Sequence, residues 1–265
     1  MSTFRLNKEI FTPALYAELR NFWFQDLPKD ATSAPPPVIK KWFGHFDTQD
    51  EKDRYDQSCH QRFHTALESF GPAKYPLPPP SSWEVEVAQA EVIAAPFLAD
   101  CSASSSNEEY GPNFLGIILL IDQLSRNIFR QEQAQIYNHY DLISRSLVRC
   151  ILKLTPRADL HASFRFSPVH RMWVYMPLMH SEHVEDQDLF QELMEDFRAE
   201  MEGRGDGPAM EYLVLVIEGA KKHAFDVRNF GRFPHRNEYL GRVTTEEERV
   251  FMDNGGNGLA PKKAR

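Results

Sequence analysis

FLGIILLIDQLSRNIFR, residues 114–130, decides the fold. From Phe114 to Ile121 only Gly116 interrupts the apolar run. A helix that is apolar all round is a buried one. The character then changes while the spacing does not. Ile118, Asp122, Arg126 and Arg130 follow at four-residue steps, so polar groups continue a stripe that begins as core. A buried carboxylate is costly unless it is paired. Two readings follow. Asp122 and Arg126 are an architectural pair that locks neighbouring helices, or they form the floor of a pocket.

Helical spacing extends outward from this stretch in both directions. Residues 9–27 carry apolar side chains at 10, 11, 15, 19, 22 and 23. EVEVA (84–88) alternates like a strand, but the alanines that follow favour a helix. Residues 114–154 read as one long helical region, or as two helices with a break near 132–137. Pro168 suits a first helical position. Asp206 is a candidate cap for a helix that stops at Gly231. TTEEE offers two overlapping capping boxes, Thr244 with Glu247 and Thr245 with Glu248. PKDATSAPPP (28–37), GPAKYPLPPPSS (71–82) and CSASSSNEEYGPN (101–113) read as irregular. No hairpin signal occurs, and no repeat of about 34 residues. The expectation is an all-α chain: one helical domain over residues 1–253 and a disordered tail over 254–265.

Composition narrows the function classes. With 265 residues, 42% hydrophobic and 26% charged, the chain is an ordinary globular one with enough length for a large core. A net charge of −8 argues against general stickiness toward nucleic acid or membranes, though not against a local basic patch. Cys59, Cys101 and Cys150 are far apart and form no ligand pattern, so they read as free thiols of a reducing compartment. The N-terminus lacks a signal-peptide pattern, and no window approaches about eighteen apolar residues. A soluble cytoplasmic protein is expected.

Two further segments concentrate titratable groups. HSEHVED (180–186) follows MWVYMPLM, where Pro177 is expected to kink or end a helix. His180 and His183 have metal-pair spacing, but no third ligand stands at a recognised distance, so no metal is expected. Ser181 suits a helix cap. His180 with Glu182 suits an acid/base pair. In residues 221–242, His223 follows the apolar face of Leu213, Ile217 and Ala220, and Arg228, Arg232, Arg236 and Arg242 then arrive in quick succession. These arginines either neutralise Asp122, Asp226 and Glu182 or build an anion site. His60 and His64 read as surface residues. Phe22, Trp23, Phe24, Trp42 and Phe43 read as core.

LLIDQLSRN, YMPLMHSE and FGRFPHRNEYLGR with TTEEE, together with FWF, KKWF and YDQSCHQRF, resemble the family known as domain of unknown function 924 over roughly residues 20 to 252. The resemblance implies a fold similar to tetratricopeptide-repeat arrays. It implies recurring polar positions at Asp122, Arg126, Asn127, His180, Ser181, Glu182, His223, Arg232, His235, Arg236 and Asn237. Two positions depart from the family pattern: Ser125 stands where proline is usual, and His183 where an acid or a small residue is usual. The proline-rich insertions suggest a fungal-type member.

Some fungal proteins associated with this family are arginine-containing cyclodipeptide synthases of secondary metabolism, which join aminoacyl groups from arginyl-tRNA and a second charged tRNA. The resemblance then implies no cofactor, and arginyl-tRNA and arginyl-tRNA synthetase as partners. Asp122 and Glu182 are candidates to bind a guanidinium. His180 or His223 is the candidate base. Ser125 or Ser181 is the candidate acyl carrier. Arg126, Arg130, Arg232 and Arg236 are candidates for tRNA phosphates. The acidic total counts against this reading. A hydrolase of a small anionic substrate and a non-catalytic helical interaction protein stand beside it.

Overall fold

In the computed structural model, which describes residues 4–103 and 106–258, every regular element among the described residues is helical. The chain divides into two compact units, residues 1–177 and 178–265.

The first unit begins with α1 (Pro13–Phe24), α2 (Pro36–Trp42), α3 (Gln49–Glu68) and α4 (Trp83–Ala103). Thr12 caps α1, and Thr48 with Glu51 forms a full capping box on α3, a signal the sequence carries. α4 absorbs the EVEVA segment as helix and keeps Pro96 inside it. Next come α5 (Tyr110–Ile118), α6 (Ser125–Ile128), the single turn α7 (Gln133–Gln135), α8 (Asp141–Ile151) and α9 (Pro168–Met179). The break in the 114–154 region falls at residues 129–132, slightly before the expected 132–137. Leu119–Leu124 joins α5 to α6 as a π turn, and Ile136–Tyr140 joins α7 to α8 as another. π turns are rare and concentrate at functional sites.

α1 packs on α5, α3 on α6 and α4 on α8. The Phe114–Ile121 run is buried throughout, as its composition demands. Trp23, Trp42 and Trp173 form an aromatic centre with ring centroids 5.0–6.4 Å apart. Phe43, expected in the core, is 46% exposed and leans on Trp173 at its edge. Between α4 and α8, buried Glu86 takes Arg145 through two bonds of 2.7 Å, with Arg149 at 3.5 Å. Two guanidiniums on one carboxylate satisfy a charge that burial alone would make prohibitive.

The second unit is built on α10 (Val184–Gly203) and α11 (Gly207–Phe230), which pack together, followed by α12 (Glu246–Asp253). Asp206 caps α11 by accepting from the Ala209 N–H at 3.1 Å. α11 stops at Gly231, whose φ of 67° is left-handed and costs glycine nothing. Of the two possible capping boxes before α12, only Thr245 with Glu248 forms. α9 ends at Met179, two residues past Pro177, in keeping with an end near that proline. The tail expected to be disordered from 254 is held at Asn257, which donates to Asp226 Oδ1 at 2.6 Å and to the Lys222 carbonyl at 3.1 Å. Residues 259–265 lie outside the described residues.

Candidate functional site

In the first unit the polar stripe of residues 118–130 meets two different helices. Asp122 lies in the π turn, fully buried, and accepts from Gln123 Nε2 at 2.6 Å. Arg126 Nη1 donates to Asp141 Oδ1 at 2.8 Å, while its Nη2 lies 3.8 Å from Asp122 Oδ1. Asp141 begins α8 where the second π turn ends, so both π turns flank this carboxylate–guanidinium–carboxylate group. Burial opposes the Arg126 charge, but Asp141 and Asp122 outweigh it and hold the guanidinium pKa above its ordinary value. One turn on, Arg130 binds Asp56 of α3 through Nε at 2.6 Å and Nη2 at 2.9 Å, and Asn127 donates to the same carboxylate at 2.8 Å.

Ser125 closes the first π turn. Its N–H reaches back to the Leu120 carbonyl, five residues away, so the Ile121 carbonyl loses the N–H that an α-helix would supply. The Ser125 hydroxyl donates to that carbonyl at 2.6 Å. Ser125 therefore completes the turn, with its side chain buried.

In the second unit the loop after α11 gathers most of the remaining candidates around Phe233. His223 lies 5.9 Å from the Phe233 ring, His235 lies 5.6 Å from it, and the Arg236 guanidinium covers it at 4.4 Å. The His180 and His223 rings are 6.1 Å apart, and Arg236 Nη2 donates to the His180 carbonyl at 2.9 Å. His180, His223 and His235 are all half-buried. Glu182 accepts the Phe233 N–H at 2.9 Å and Arg242 at 2.8 Å, which ties the start of the segment to the loop.

Arg232 and Asn237 meet Glu248 of α12. Arg232 donates through Nε at 2.6 Å and Nη2 at 3.0 Å, Asn237 Nδ2 at 3.1 Å and the Thr245 N–H at 2.8 Å. Hydrogen bonds from Arg232 lead in pulling the Glu248 carboxyl down to about 2 against the cost of burial. Ser181 serves the chain itself: buried, it donates to Asp186 Oδ2 at 2.6 Å and accepts the His183 N–H at 3.2 Å just before α10, with His183 in the cap position. Gln187 fixes the same turn by donating to the Met179 and Ser181 carbonyls, each at 2.7 Å.

Three supporting groups escape a reading by motif: Asp56, Asp141 and Gln187. One signal was available. Between Leu142 and Ser181 the chain carries Arg145, Arg149, Lys153, Arg157, Arg165 and Arg171 against Asp159 alone, in a protein of net charge −8. Lys153 is exposed, and Arg157 and Arg165 are half-exposed. Among the described residues no three His, Cys, Asp or Glu side chains are grouped to hold a metal, and no helix is long and apolar enough to cross a membrane.

These features define an all-helical protein with buried carboxylate–guanidinium groups and an imidazole-rich turn. The chain belongs to the family described as bacterial protein of unknown function (DUF924), whose model matches residues 19–256. It is similar in structure to the protein of unknown function ATU0120 from Agrobacterium tumefaciens. The two share 26% identity and a TM-score of 0.54 over 91% of this chain and 98% of that one. No curated protein matches.

Proposed function

We propose that this chain is a tRNA-dependent cyclodipeptide synthase that draws arginine from arginyl-tRNA and a second residue from another charged tRNA. The observation that carries the reading is the His180–His223 pair, 6.1 Å apart beside Phe233 and Arg236. Aminolysis of an aminoacyl ester needs a base that takes a proton from the attacking α-ammonium and an acid that returns one to the departing ribose oxygen. Two neighbouring imidazoles supply both functions. In the first step the amine of one aminoacyl group attacks the ester carbonyl of the other. The C–N bond forms, the C–O bond breaks, and one tRNA leaves with its hydroxyl restored. In the second step the remaining amine closes on the remaining ester, which frees the second tRNA and the six-membered ring.

Three other features support the reading. Arg236 places positive charge beside the imidazoles, suited to developing oxyanions. Exposed Lys153 and half-exposed Arg157 and Arg165 offer phosphate contacts that the net charge conceals. The resemblance to fungal members fits a cytoplasmic enzyme supplied by arginyl-tRNA synthetase. In the test, the protein is incubated with an active arginyl-tRNA synthetase, tRNA, arginine and the other amino acids, and an arginine-containing cyclic dipeptide is the expected product. Absence of product with charging confirmed refutes the reading. The guanidinium beside the imidazoles also favours a second reading, hydrolysis of a small anionic ester with water in place of the amine. Release of acid from acyl or phosphate esters, lost on His180→Ala, would identify it.

A further inference from the structure

The proline-rich segment of residues 71–82 takes no part in the chemistry above. Tyr75 anchors its start: the ring is 3% exposed, stacks on Phe4 at 4.6 Å and donates to the Ile93 carbonyl at 3.0 Å. Its end is held where the Ser81 N–H donates to Glu86 Oε1 at 3.3 Å and the Glu86 N–H donates to the Ser82 carbonyl at 3.1 Å. Between these anchors Pro76, Pro78, Pro79 and Pro80 are exposed and Leu77 is half-buried. Each proline fixes φ near −65°. Tyr75, Leu77, Pro78 and Pro79 each precede a proline and are confined to extended ψ. The stereochemistry therefore favours a left-handed polyproline helix, three residues to a turn. Pro76 and Pro79 share one edge, and Leu77 and Pro80 a second. Leu77 is half-buried while Pro76, Pro79 and Pro80 are exposed, so prolines of both edges reach solvent.

An open hollow of about 520 Å³ separates this strap from Ala134, Gln135 and Asn138, which leaves room for a partner's side chains on that flank. The other proline triplet is used differently. Pro35 has φ −62° and ψ 148°, but Pro36 already starts α2, so Pro35–Pro37 is a helix entry and no ridge. The strap's own chemistry selects its partner. Prolines offer no N–H, so the strap cannot pair as a β-strand. It presents convex apolar rings and backbone carbonyls, which suit flat aromatic side chains whose indole N–H or phenol O–H can donate. Lys74, exposed at the N-terminal flank, adds a cation. We propose that the Pro76–Pro80 strap is a docking ligand for a protein domain that reads polyproline helix through an aromatic groove with an acidic rim.

The test titrates the full chain into purified SH3, WW and EVH1 domains and follows the fluorescence of their groove tryptophans. Binding by one class is expected, weakened about tenfold or more by the double change Pro76→Ala with Pro79→Ala and also weakened by Lys74→Glu. Pro37→Ala, in the other triplet, should leave it unchanged. A peptide spanning residues 72–83 should displace the chain, a readout independent of how the variants fold. The proposal is overturned if none of the three classes binds, if the Pro76/Pro79 double variant binds as well as the parent, or if the peptide fails to compete.

Discussion

Replacing Glu248 by glutamine keeps the shape of the side chain and removes its charge. The carboxylate holds four donors, two from Arg232, one from Asn237 and the Thr245 N–H. Its pKa falls from an ordinary 4.5 to about 2, and its side chain is 2% exposed. At ~1.36 kcal/mol per pH unit of displacement, the charged form is worth at most ~3.4 kcal/mol to the fold. Arg232 is partly open to solvent, with 26% of its side chain exposed. Solvent screening there reduces the expectation to about 2 kcal/mol. The sign follows from linkage. A carboxyl depressed by folding adds stability that is complete above about 4.5 and drains away as the pH falls toward 2. Urea unfolding of both proteins at pH 7, 4 and 2.5 measures this directly. The difference between them should be largest at pH 7 and shrink steadily with acid. A Glu248→Gln protein as stable as the parent at pH 7, or a gap that does not narrow by pH 2.5, would refute the account of Glu248 as a charged hub.

Ser125→Ala strips the Ile121 carbonyl of its hydroxyl partner inside the core, and denaturant titration should register a loss of about 1–2 kcal/mol. His180→Asn and His223→Asn should each reduce cyclic dipeptide formation about a hundredfold or more while leaving thermal unfolding in place. Lys153→Glu should weaken tRNA binding and flatten its salt dependence by about one phosphate contact, read from the slope of log K against log salt. Burial, with Asp56 nearby, pushes the Cys59 thiol up to about 12, and burial pushes Cys150 up to about 11. With Cys101 also buried, a disulfide reagent at pH 8 should label the thiols only after denaturant is added.

Where the sequence specified local chemistry, the fold follows it. Pro168 opens α9, Asp206 caps α11, Gly231 ends it, and a threonine–glutamate box starts α12. These signals depend on groups within four residues of one another. The two π turns escaped because a π turn differs from an α turn only in which carbonyl each N–H finds, and Leu119–Leu124 has the composition of either. The choice between Thr244 and Thr245 escaped for a longer-range reason. Glu248 also gathers Arg232 and Asn237, and that network fixes the box one residue later. Pairing by charge alone was equally open. Arg232 and Arg242 were expected among Asp122, Asp226 and Glu182; Arg242 does take Glu182, whereas Arg232 takes Glu248 and Asp226 receives Asn257. The clustering of imidazoles and guanidiniums was legible, as were Glu182 and Glu248, but Asp56 and Asp141 were not, because acids on other helices carry no local mark.

The widened turn at Leu119–Leu124 holds one residue more than an ordinary helix needs, and that surplus sets the angular phase of everything after it. Wound as an ordinary α-helix, the same sequence would carry the downstream side chains round by roughly 100°, turning Arg126 from Asp141 and Arg130 from Asp56. Deleting one residue within the turn would instead let the coil relax to its common form with the downstream phase kept, so this stretch tolerates a loss of length that a neighbouring α-helical turn would not.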